Sequence, residues 1–245
     1  MRLALFALVL ALAAGCQRAP ESDAAFGARV KAWMMAHPDD LRAALENMQT
    51  KEDAEDAQAQ TRAEATAITL LPKLRNELER DPKDFVANPN GAVTVTEFYD
   101  YRCPHCINIA PRVVTLIHDR PDVRFVFKEM PIFGAVSEHA ARAALAAKNE
   151  GKDYVGLYAA LMAARPLTDE AIDQIAKAKG VSLADVDSPA AVATDNAHMA
   201  QTTRLAEQLS IEGTPGFIVG DTIIHGEDYD ALTAAIAKSE GKGLG

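Results

Sequence analysis

The stretch "EFYDYRCPHC", residues 97–106, constrains this chain more than any other. The preceding "AVTVTEFY" (92–99) has the alternation and β-branching of a strand. A short turn then brings in Cys103, Pro104, His105 and Cys106, and Pro104 sits where a proline opens a helix. A structural zinc site commonly takes four Cys or His ligands in two separated pairs, and no second pair exists here. Haem attachment needs a His directly after the second Cys, but Ile107 follows it. A disulfide across two residues closes too small a loop to constrain the unfolded chain. Thiol–disulfide exchange remains. Free N–H groups at a helix start stabilise a Cys103 thiolate, and His105 can add positive charge or a hydrogen bond. A low pKa makes Cys103 the better leaving group and its disulfide the stronger oxidant. Cys106, one turn further in, is expected to be the more buried, resolving thiol. No cofactor or metal is called for.

The flanking pattern reads as an α/β fold. "VRFVFKE" (123–129) is a second strand, reached through a helix from about Pro104 to His118, and the three form a βαβ unit. Residues 137–209 read as a helical insertion, with Ser137 as a start cap, Thr168 capping "DEAIDQIAKAKG" and Gly180 closing it. "TPGFIVGDTIIHG" reads as a hairpin turning at Gly220-Asp221, and "EDYDALTAAIAKSE" as a last helix.

Upstream lies a different composition. Residues 1–15 carry one charge, Arg2, and an apolar run from Leu3 to Ala14, too short to span a bilayer and suited to a signal peptide. "LAAGC" ends it like a bacterial lipobox, with Cys16 as the lipidated residue; the alternative is ordinary secretion, cut after Ala13. Either route exports the chain to a compartment that permits disulfides. Residues 16–25 read as a tether and 26–85 as a helical extension. Phe26, Val30, Trp33, Met34, His37, Leu41, Leu45 and Met48 recur at helical steps, Pro38 opens a second helix, and Pro72 is a candidate kink. The extension is either an arm packed on the next domain or an oligomerisation stalk over residues 22–80. "DPKDFVANPNG" (81–91) reads as a linker.

"CPHC", with "GTPGFIVG" more than a hundred residues later, resembles the DsbA-like branch of the thioredoxin superfamily over residues 92–240. The helices preceding this domain resemble those of the ScsC-type envelope proteins, a group in which such helices can mediate oligomerisation. The resemblance implies a thioredoxin-like fold with a helical insertion and an N-terminal helical extension. It implies that Pro215 is a cis-proline facing the disulfide with Thr214 before it, and that Glu97 is a buried acid beneath Cys106. Lys128 is read as the charge partner of Glu97 across the sheet, and Pro111 falls where relatives kink the active-site helix. The catalytic set is then Cys103, Cys106, Pro104, His105, Thr214, Pro215 and Glu97. The implied partners are the thiols and disulfides of exported proteins and a membrane redox protein, DsbB-like or DsbD/ScsB-like. Three roles fit: an oxidase; an oligomeric isomerase or reductase kept reduced by its partner; or, in another class, a Cu(I) carrier or chaperone on the same fold.

Among 245 residues, a net charge of −10 argues against nucleic acid as a partner. His37, His118, His139, His198 and His225 read as surface or packing residues, and no phosphate-binding glycine loop or serine nucleophile elbow occurs.

Overall fold

The computed structural model of the protein describes residues 22–242, so residues 1–15, read as a signal peptide, and Cys16 lie outside the described residues. The chain divides into two compact units at Ala59/Gln60.

In the first unit, α1 (Asp23–Ala36) begins at Ser22, whose side chain accepts from the Ala25 N–H at 3.3 Å. Pro38 opens α2 (Pro38–Glu79), as expected of a proline at a first helical position. The helix then continues unbroken through Pro72. The apolar stripe of α1 is not buried: Phe26 is 56% and Trp33 52% exposed, and Leu45 and Met48 on α2 are exposed too.

The second unit is built on a five-stranded sheet in the order β1-β3-β2-β4-β5. Its strands are β1 (Phe85–Ala87), β2 (Val93–Tyr99), β3 (Val123–Glu129), β4 (Gly216–Val219) and β5 (Thr222–His225). β2 and β3 pair in parallel through the crossover helix α3 (Pro104–Asp119), and the other pairings are antiparallel. The insertion is α4 (Ala135–Asn149), α5 (Tyr154–Ala163), α6 (Asp169–Ala178), α7 (Leu183–Asp187) and α8 (Pro189–Gln208); α9 (Tyr229–Lys242) closes the chain. Strand periodicity of two divides the core. Val95, Tyr99, Phe125, Phe127 and Phe217 point into the larger cluster with α3, α4 and α5. Phe98, Ile218 and Ile223 point into a second cluster with Leu205 of α8 and with Ala67, Leu71 and Leu78 of α2.

Three local expectations change. The stretch read as a linker carries β1, an edge strand whose Phe85 stacks on Tyr154 at 4.0 Å. The last turns of α2 are more than a packed arm, since Ala67, Leu71 and Leu78 belong to the second unit's own core. Their free carbonyls, which a helix end leaves without partners, accept from Lys128 (Glu77 O) and Arg124 (Glu79 O). The cap of α4 is Gly134, at φ 84°, a left-handed conformation that favours glycine. Ser137 instead lies buried inside the helix and donates to Asp100. Thr168 caps α6, its side chain accepting from Ala171 N–H, and Gly180 and Gly220 take positive φ where turns were read.

Candidate active site

β2 ends at Tyr99, and the loop to α3 is organised by Asp100, which no motif had marked. Its buried carboxylate accepts from the N–H groups of Arg102 (2.6 Å) and Phe133 (3.0 Å) and from the Ser137 hydroxyl (2.8 Å). Its carbonyl accepts from the Cys103 N–H at 3.2 Å. Cys103 is thereby held as the N-cap of α3 with an extended backbone, and Pro104 follows at the first helical position.

Both cysteines are free and buried, Cys103 at 2% exposure. The expected contrast in exposure is therefore small as whole residues, and the difference between them is electrostatic. Cys103 is lowered to about 5, first by a hydrogen bond from the Cys106 thiol, against burial. The Thr214 side chain and the N–H groups of Cys106 and His105 add to the lowering. Cys106 is pushed far up, chiefly by burial and then by giving its hydrogen bond to Cys103. One thiol is tuned to ionise and its neighbour to keep its proton.

The Thr214–Pro215 peptide bond is cis, and the Thr214 carbonyl lies 3.0 Å from Cys103 Sγ. This places the loop before β4 directly against the first cysteine. The Thr214 hydroxyl is buried and has no partner to compete with the Cys103 thiolate that it helps to stabilise.

Glu97 is fully buried on the β2 face that carries Val95 and Tyr99. Burial raises it to about 8, against a hydrogen bond from the Tyr158 hydroxyl at 3.3 Å, and its charge in turn raises Cys106. Lys128 is not its partner. In register Lys128 stands opposite Phe98, whereas Glu97 stands opposite Phe127, so the two side chains leave opposite faces of the sheet. Lys128 pairs with Asp84, both fully buried.

His105 acts on the thiolate in both of the expected ways. Its ring is exposed and lies 3.1 Å from Glu227 Oε1, which raises its pKa. It acts on the Cys103 thiolate through its backbone N–H, and the ring and thiolate charges couple as well.

Sequence reasoning missed Glu227, Tyr158 and Glu129. Tyr154 donates to Glu129, Tyr99 lies 3.3 Å from it, and burial raises the carboxyl to about 7. The signal for Glu129 was available: in "VRFVFKE" it shares a face with Phe125 and Phe127. For Glu227 and Tyr158 there was none, since each meets the site only through tertiary packing. Beside α3 runs an apolar groove of about 430 Å³, lined by Ile107, Ala110, Pro111, Val114 and Met162.

The chain is 32% identical over 164 residues to the Na(+)/H(+) antiporter NhaA 3 of Salinispora tropica, covering 64% of this chain but spanning only 25% of the antiporter's length. It is 30% identical over 150 residues to the thiol:disulfide interchange protein DsbA of Bordetella parapertussis, covering 57% of this chain and 71% of that protein. The crystal structure of Proteus mirabilis ScsC in a transitional conformation superposes with a TM-score of 0.65 at 25% identity. That match covers 90% of this chain and 100% of ScsC. A family model described as the DSBA-like thioredoxin domain matches residues 94–237, more than half of the chain. The chain belongs to the DSBA-like thioredoxin domain family.

Proposed function

We propose that this chain is a protein thiol:disulfide oxidoreductase of the DsbA/ScsC type, with Cys103 as the reacting cysteine and Cys106 as the resolving one. The observation that carries this reading is two free thiols at the start of α3, the first 3.0 Å from the Thr214 carbonyl, a setting that lowers Cys103 to about 5 and raises Cys106. When the pair is oxidised, a client thiolate attacks Cys103 Sγ. A mixed disulfide forms, the Cys103–Cys106 bond breaks, and Cys106 leaves as a thiolate that takes up a proton. A second client thiolate then attacks the client's sulfur, expelling Cys103 as a stabilised thiolate. The client has lost two electrons and the pair has gained them. Run backwards, the same steps reduce a client disulfide. Glu97, at about 8 and coupled to Cys106, is the group suited to pass a proton to it. Thr214 and Pro215 form the wall against which an extended client docks, and the groove beside α3 offers apolar purchase.

The residues carrying this chemistry are read as 92–240, together with the end of α2 that completes the second core cluster. The exported setting rests on the apolar leader and Cys16, as a lipid-anchored or soluble protein of the cell envelope that exchanges electrons with a membrane redox partner. No helix among the described residues is long and apolar enough to cross a membrane. The exposed apolar residues of α1 support self-association through the N-terminal unit, as does a match to ScsC extending beyond the thioredoxin-like domain.

Trapping tests the assignment. Cys106→Ser should accumulate mixed disulfides with exported proteins, and Cys103→Ser should not. Adducts formed equally through Cys106 would overturn it.

A further inference from the structure

A second cluster of chemistry-bearing side chains lies in the helical insertion. His139 of α4 is nine-tenths buried, and its two ring nitrogens face carboxylates from two other helices. Nδ1 lies 2.9 Å from Asp169 Oδ1. Nε2 lies 3.4 Å from Asp173 Oδ1 and 3.9 Å from Asp187 Oδ1. Asp169 and Asp173 are one turn apart on α6, and Asp187 ends α7.

Three observations separate this cluster from a surface patch of acids. His139 Nε2 and Asp173 Oδ1 are both buried and make no hydrogen bond. The 3.4 Å between them is long for an N–H···O bond, which prefers about 2.7–3.2 Å. Among the described residues, no lysine or arginine forms an ion pair with Asp169, Asp173 or Asp187.

We propose that His139 Nε2, Asp173 and Asp187 form a zinc-binding site that joins α4, α6 and α7. In a tetrahedral zinc site, Zn–N of about 2.0–2.1 Å and Zn–O of about 2.0–2.2 Å leave neighbouring ligand atoms roughly 3.3–3.5 Å apart. The His139–Asp173 distance falls in that range and the His139–Asp187 distance is slightly longer; the three ligand atoms lie within 4.8 Å of one another. Asp169 completes the arrangement. By accepting the Nδ1 proton it fixes the tautomer that leaves Nε2 as a lone pair, the usual outer support of a zinc-bound histidine. A neutral imidazole and two carboxylates balance a divalent ion, and water fills the fourth position. The half-exposed Asp173 and Asp187 leave an entry path. Binding to the folded state alone would then stabilise the insertion by mass action. The competing arrangement is an imidazolium shared among carboxylates, which needs no metal.

The two arrangements are separated on the full chain with the CPHC pair oxidised and Cys16 alkylated, so that no thiol competes. Titration calorimetry with zinc chloride in metal-free buffer should show one saturable ion per chain, and zinc should raise the melting temperature. Asp187→Asn and Asp173→Asn should each weaken zinc binding by tenfold or more. Asp169→Asn should weaken it by about 10- to 100-fold, the range for loss of such a support. Asp187 is largely exposed, so its variant should stay folded even if His139→Gln does not. Cobalt(II) bound in place of zinc should give the visible absorption bands of a tetrahedral site, and these should vanish in Asp187→Asn. Absence of saturable zinc binding, or binding unchanged in both Asp173→Asn and Asp187→Asn, overturns the proposal and leaves the imidazolium cluster.

Discussion

The two units of this chain treat apolar helix residues in opposite ways. In residues 22–59, Phe26, Val30, Trp33, Leu45 and Met48 recur at helical steps and are exposed. In residues 60–242, Leu71 and Leu78, on the same helix as Leu45 and Met48, are fully buried beneath the sheet. Helical periodicity is alike in both, so the difference lies in what each stripe meets. Helices draw most of their stability from packing an apolar face on a partner. The end of α2 has the second core cluster, whereas the stripe of α1 has solvent. Such exposure supports the proposed self-association through the N-terminal unit.

The largest expected effect breaks the comparison on stability. Leu71→Ala or Leu78→Ala should destabilise the thioredoxin-like unit by roughly 2–5 kcal/mol, the usual range for a buried leucine. Trp33→Ala should stay within about 0.5 kcal/mol, as for an exposed site, at concentrations where the chain is monomeric. Denaturant melts of the three variants check this. The same contrast sharpens on association. The full chain should sediment as an oligomer at micromolar concentration, Trp33→Asp should shift it toward monomer, and Leu71→Ala should not. A monomeric parent chain would remove self-association through this unit.

Within the second unit the buried carboxyl of Glu97 sets a pH slope in stability. Its pKa rises from 4.5 to about 8 on folding. Between those values the folded state binds more protons than the unfolded state, so stability falls as pH rises. The limit is about 1.4 kcal/mol per pH unit. Glu97→Gln should flatten that part of the pH–stability curve, and melts at several pH values give the slope directly.

Smaller effects are confined to the thiolate. Thr214→Val removes a hydroxyl suited to donate to Cys103 and should raise its pKa by about one unit, since a hydrogen bond to a charged group contributes ~1.5–3 kcal/mol. Thiolate absorbance against pH measures it, and in the parent chain it should titrate near 5. His105→Ala should raise Cys103 least, because the backbone N–H survives and the exposed ring is already paired with Glu227. That remaining effect should shrink with added salt.

The order of elements was legible in local pattern. Residues 92–99 alternate as a strand because one face of β2 meets α3 and the other meets α2 and α8. The cap at Thr168 was legible because its side chain serves its own helix. The errors share a cause. Lys128 was matched to Glu97 on charge alone, but the register sent them to opposite faces. Ser137 read as a cap because it is a serine near a helix start, yet its hydroxyl serves Asp100 on another element. The strand β1 was hidden by the Pro, Asn and Asp around it, and only its pairing with β3 makes it a strand.

By itself the sequence determined that two thiols stand one helical turn apart, after a strand and at a helix start, in a chain with an apolar run over residues 3–14. These are properties of neighbours along the chain, set by covalent spacing and backbone geometry. Tertiary structure decided what each thiol does. It brought Thr214 to Cys103 across 111 positions of chain, Tyr158 to Glu97 and Glu227 to His105. The physical reason is that a pKa depends on desolvation and on partners within a few ångströms. Those partners come from distant segments that only the packed sheet and helices bring together.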